Sequence, residues 1–105
     1  MRMLLKVTIP VDAGNAAIVN GTFGATMQQI LADIKPEAAY FVAEHGQRTA
    51  YIILDMQDSS ELPGVAEPFF LAFRADISAQ PVMISADLAA AGPGIERAVK
   101  AYGKS

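Results

Sequence analysis

Between Ala38 and Met56, two runs rich in strand-forming residues flank the short polar centre His45, Gly46 and Gln47. Valine, isoleucine, tyrosine and phenylalanine suit a pleated, half-buried surface, so the segment predicts a β-hairpin. A two-residue loop of either His45-Gly46 or Gly46-Gln47 puts Gly46 where a positive φ is needed, and both choices give the same side-chain parity across the strands. Ala39, Phe41, Ala43, Ala50, Ile52 and Leu54 then share one face, and Tyr40, Val42, Glu44, Thr49, Tyr51, Ile53 and Asp55 share the other. The first set calls for helices over it, which predicts that Phe41 and Ile52 are buried. The second is too apolar for open water and too polar for a dry core, so it suits a partner sheet or a ligand cavity.

The rest of the chain supplies elements to build on this hairpin. Met3, Leu5, Val7 and Ile9 alternate with Leu4, Lys6 and Thr8, the period of a strand with one buried side, and Pro10 closes it. Residues 13–34 follow a helical spacing, clearest in Phe23, Met27, Ile30, Leu31 and Ile34. Gly21 and Gly24 interrupt that helix and predict a break, a close contact or a late start, and Lys35-Pro36 ends it. After the hairpin, the turn and cap residues Gln57 to Glu61 open a second helix on which Leu62, Val65, Ala66, Phe69 and Phe73 recur. Phe69, Phe70 and Phe73 read as core, and Pro68 predicts a kink or a division. Residues 75–84 return to alternation as an edge or bulged strand carrying Pro81. Ser85 caps a short helix, Gly92-Pro93-Gly94 stops it, and Ile95, Val99 and Tyr102 mark a last one.

This order predicts an α+β fold: a ferredoxin-like βαββαβ antiparallel sheet with both main helices on one face and a helical C-terminal tail, in a single domain over residues 1–105. Such a domain buries about two-thirds of its unfolded surface. The other sheet face stays bare, carrying Lys6, Thr8, Tyr40, Glu44, Thr49, Tyr51, Asp55 and Gln80. Hydrophobic residues make up 52% of the chain and charged ones 18%, which is apolar for so small a domain and predicts that a second copy covers this face. A net charge of −3 without a basic run argues against nucleic acid or an anionic membrane as partner. The absence of cysteine removes disulfides and thiolate chemistry. The start MRMLLKVTIP lacks a cleavable leader pattern and no apolar run reaches membrane-spanning length, so the expected location is cytoplasmic.

The element order and the bare face resemble the dimeric α/β barrel superfamily, in which two such sheets close face to face. The closing stretch, Ala66-Glu67-Pro68-Phe69-Phe70-Leu71-Ala72-Phe73, then Pro81-Val82-Met83, Asp87-Leu88 and Ala91-Gly92-Pro93-Gly94-Ile95-Glu96, is similar to a subfamily of small bacterial proteins of unassigned function in that superfamily. Characterised relatives include quinol-forming monooxygenases, haem-degrading enzymes and muconolactone-type isomerases. The haem-degrading branch relies on a tryptophan and a histidine in set places, and this chain has no tryptophan. None of the family's catalytic motifs matches here position by position, so the resemblance implies a fold and a homodimer but no functional residue.

The candidate site residues are few. His45 is the only histidine and reads as a solvated turn residue, which leaves no metal site. Glu44 and Asp55 lie on the bare face but far apart along the strands, which suits rim charges or pairing with Lys6 or Arg48 better than an acid–base couple. Gly21-Thr22-Phe23-Gly24 and Gly92-Pro93-Gly94 fit no nucleotide motif. Tyr40 and Tyr51 offer stacking surface and hydroxyl donors. A ligand on the bare face is therefore expected between Lys6, Thr8, Tyr40, Tyr51 and Asp55, with Asp55 holding Lys6 in place. The preferred functional reading is a binding or structural homodimer, joined through the open sheet face, with a cavity for a small apolar or aromatic molecule and no cofactor. The alternative is a cofactor-independent monooxygenase or isomerase acting on a small aromatic, quinone-like or lactone substrate.

Overall fold

The computed structural model describes residues 1–104, and Ser105 lies outside the described residues. β1 (Arg2–Ile9) seals Leu5, Val7 and Ile9 on one side, as its alternation requires. Pro10, whose fixed φ suits a helix start, leads into α1 (Val11–Val19). Gly21, at φ 74°, then breaks the helical run before α2 (Phe23–Ile34) begins. Of the three outcomes the glycines predict, a break is the one observed. Gly24 makes no close approach, since nothing lies within 4 Å of where its Cβ would stand.

Lys35, in the left-handed region at φ 50°, ends α2 ahead of Pro36. β2 (Ala38–Glu44) and β3 (Gln47–Asp55) follow, joined by the two-residue turn His45-Gly46 with φ of 51° and 76°. A 3-10 turn at Ser59–Glu61, where the Glu61 carboxylate accepts from the Gln57 and Asp58 N–H groups, leads into α3 (Leu62–Phe73). α3 runs unbroken through Pro68, so the division that the proline predicted does not occur. β4 (Asp76–Pro81) completes the sheet at one edge, as Pro81 requires. α4 (Ser85–Ala90) and α5 (Gly92–Tyr102) end the chain. Ser85 is the first helical residue of α4 rather than its cap, and Asp87 caps by accepting from the Ile84 N–H at 3.0 Å. Gly92-Pro93-Gly94 forms the first turn of α5, because proline at the second helical position needs no donor.

Among the described residues the result is an α+β architecture with five α-helices and a four-stranded antiparallel sheet in the order β2-β3-β1-β4, compatible with a ferredoxin-like fold. Leu5, Val7 and Ile9 of β1 and Ala50, Ile52 and Leu54 of β3 pack against Met27 and Ile30 of α2 and Phe69 and Phe73 of α3. Two expected core residues fall outside this cluster. Phe70 is 40% exposed, because on a helix it points about 100° away from its neighbour Phe69. Phe41 pairs with Ala50 on the helix side, as parity predicts, yet it is 57% exposed. β2 is an edge strand, and the helix layer stops short of it.

The tail differs from the body. All residues of α4 and α5 are exposed, and Ile95, Val99 and Tyr102 form an uncovered stripe on α5. The radius of gyration is accordingly 17.8 Å, against about 13 Å for a compact chain of this length. Among the described residues no helix is long and apolar enough to cross a membrane.

Candidate functional site: two sides of one sheet

The strand register decides which side chains meet on the face away from the helices. Lys6 stands opposite Tyr51, and Tyr51 opposite Tyr40, so three of the five expected site residues fall in one row across β1, β3 and β2. Thr8 lies in the next row with Thr49 and Val42. Asp55 is not part of this group. It sits at the far end of β3 opposite Arg2, where it accepts from the Met1 amino group at 3.0 Å. The residue that holds Lys6 is Glu44, which accepts from the Lys6 ammonium on one carboxylate oxygen and from the Tyr51 hydroxyl on the other. The expected Asp55–Lys6 pair is thus replaced by Glu44–Lys6, because a long glutamate beside the turn reaches back along the sheet while Asp55 is engaged elsewhere.

This cluster saturates its own chemistry. Hydrogen bonds from Lys6 and Tyr51 hold the Glu44 carboxyl below the usual carboxylate range, against the opposing effect of partial desolvation. The bond to Glu44, followed by desolvation, pushes the Tyr51 phenol up, and the same carboxylate raises Lys6. The Lys6 ammonium also lies 6.0 Å from the centre of the Tyr51 ring. At neutral pH the lysine is charged, the phenol protonated and the carboxylate ionised, each with its partner in place. Tyr40, 63% exposed, is the member of the row left open.

The opposite side of the sheet carries a second feature. Where β2 extends past the helices, a cleft of about 370 Å³ opens between that strand and α2, in the size range of small-molecule sites. Ile9, Met27 and Ala50, all buried, form its floor, and Phe23 and the half-open Phe41 flank it. Phe23 is braced from behind by Phe73, with ring centres 5.1 Å apart. The one charged side chain of the lining is that of Arg48; the Thr49 hydroxyl belongs to the open face and donates to the Gln47 carbonyl at 3.1 Å. Among the described residues no carboxylate, imidazole or phenol lines the cleft.

No protein-family profile and no curated protein matches this sequence. The functional reading therefore rests on geometry. Among the described residues no group of three or more His, Asp or Glu side chains could hold a metal ion, and His45 sits at the hairpin tip. Arg48 and the cleft were missed by sequence reasoning, although Phe41 and Ala43 on an edge strand were a usable signal: apolar residues facing a helix layer too narrow to reach them.

Proposed function

We propose that this protein is a homodimeric binding protein for a small apolar or aromatic molecule. The observation that carries the reading is the cleft under Phe41: apolar, concave, pre-formed, and without a side chain able to take a proton or attack a bond. The ligand belongs there rather than beside Lys6 and Tyr51, which already engage Glu44 as counter-ion and acceptor. Strand order β2-β3-β1-β4 with a helix after β1 and another after β3 supports a ferredoxin-like βαββαβ core, with α1 and α2 as one interrupted helix. That topology is the basis for the dimeric α/β barrel reading, in which a second copy covers Leu4, Tyr40, Val42 and Ile53 on the open face. The exposed stripe on α5 gives the pairing another apolar surface.

Two measurements test this. Sedimentation equilibrium at micromolar concentration is expected to give twice the mass of the chain, and a monomer would remove the dimer from the reading. N-phenyl-1-naphthylamine, a neutral aromatic probe, is expected to bind saturably with one site per chain. Ala43→Trp, which places a large side chain in the cleft from its exposed rim, should abolish that binding. Binding that ignores Ala43→Trp would place the probe elsewhere and overturn the cleft as the site.

A further inference from the structure

We propose that the natural ligand of this cleft is a small monocarboxylate with an apolar body, held by the guanidinium of Arg48. The inference rests on the cleft being a binding site and adds the charge of what it binds.

Arg48 is placed with care. Its side chain crosses α1 where Gly14 removes the obstacle, since a Cβ there would stand 2.7 Å from Nη1 and 3.3 Å from Cδ. The guanidinium lies 6.0 Å from the centre of the Phe23 ring, and Nη1 donates to Asn15 Oδ1 at 3.2 Å. A glycine, a ring and an amide thus fix the orientation of the fork before any ligand arrives, which lowers the ordering cost of binding.

What the fork lacks is a counter-ion. Among the described residues, three cationic side chains are half-buried: Arg2, Lys6 and Arg48. Arg2 pairs with Glu37 at 2.8 Å and Lys6 pairs with Glu44, while among the described residues no carboxylate lies within ion-pair distance of Arg48. Its one side-chain partner, Asn15, is neutral and takes a single donor of the five. A guanidinium in this state, at the wall of an apolar cleft, matches a planar carboxylate on its remaining N–H groups and an apolar group against Ile9, Met27 and Phe41. The charge is single, because among the described residues no second cation lines the cleft, so a monoanion fits and a phosphate dianion does not.

The probe pair trans-cinnamate and cinnamamide has one shape and differs in charge, and calorimetric titration reads the difference. The wild-type protein is expected to bind cinnamate at least about tenfold more tightly than the amide, the gain of a charge-assisted fork over a neutral contact. Arg48→Met should erase that preference and leave the amide's affinity in place. Arg48→Lys, which keeps the charge and loses the fork, should retain part of it and stands in if Arg48→Met does not fold. Equal binding of the two probes to wild type would overturn the carboxylate inference and leave the cleft reading standing. Binding of neither probe, with N-phenyl-1-naphthylamine also excluded, would overturn both. A preference for cinnamate that survives Arg48→Met would assign the anion to another cation and likewise overturn the proposal.

Discussion

Each face of the sheet holds a cation 6.0 Å from an aromatic ring centre, and the two differ in what neutralises the charge. Lys6 beside Tyr51 is met by Glu44, and the phenol is drawn into the same carboxylate. Arg48 beside Phe23 meets only the amide of Asn15. The first arrangement carries its counter-ion within the fold. The second is ordered but electrostatically unfinished, and it opens on an apolar cleft. A cation with its partner built in stabilises or aligns, whereas one that is positioned and left without a partner is available for recognition.

Several measurements can break or sharpen this contrast. The largest effect is expected where the cleft floor meets the core. Ile52, fully buried, should cost about 2–5 kcal/mol when cut to alanine, whereas Phe41→Ala at the open rim should cost below about 1 kcal/mol. Chemical denaturation compares them directly. Equal losses would mean that something covers β2 and that no open cleft exists.

Next is the saturated side, where pH acts. The carboxyl of Glu44 is held below its ordinary value of 4.5, so its contribution to stability is present above that value and is lost as pH falls through the folded one. Tyr51 and Lys6 are raised, so theirs is present below their ordinary values of 10.0 and 10.5 and is lost as pH rises through the folded ones. Glu44→Gln should therefore bring the Tyr51 phenol back toward the ordinary tyrosine range in a spectrophotometric titration and flatten the acid limb of the stability profile. An unchanged phenol titration would show that the cluster is not formed in solution.

A smaller effect is expected from Gly14→Ala. Its methyl group would force the Arg48 fork out of line, while alanine gains about 1 kcal/mol of helix propensity over glycine in α1. The cinnamate preference should fall with little change in the denaturation midpoint. A preference that is retained would mean that the fork is not pre-positioned by α1. Smallest of all, Lys6→Met and Tyr51→Phe should leave cinnamate affinity within about twofold, because both lie across the sheet from the cleft. A larger loss would return the ligand to the open face.

Much of this fold is legible in the sequence because it follows from short-range rules. The turn at His45-Gly46 and the parity of both hairpin strands come from one glycine and an alternation. The break at Gly21 comes from the one residue type that takes φ 74° freely. Coverage is a different matter. Alternation put Phe41 on the helix side but could not tell that the helices stop before reaching an edge strand. The cluster Phe69, Phe70 and Phe73 reads as one core group, yet successive residues on a helix cannot share one narrow stripe, and Phe70 is turned outward. The site was less legible still. Lys6, Tyr51 and Tyr40 come together because they lie in register on adjacent strands, whereas choosing Glu44 over Asp55 depends on side-chain reach and on Asp55 being engaged by the Met1 amino group. Arg48 had no signal of its own. It reads as one more polar residue after a turn until the fold brings Gly14, Asn15 and Phe23 around it.

The central claim is that the ligand occupies the helix side of the sheet, and methyl NMR during a cinnamate titration tests it most directly. Ile9, Met27 and Ala50 report on the cleft floor, and Leu4 and Ile53 report on the open face. The account predicts saturable shifts at Ile9, Met27 and Ala50 that follow the calorimetric binding curve, with Leu4 and Ile53 unmoved. Shifts at Leu4 and Ile53, with the cleft methyl groups silent, would contradict it.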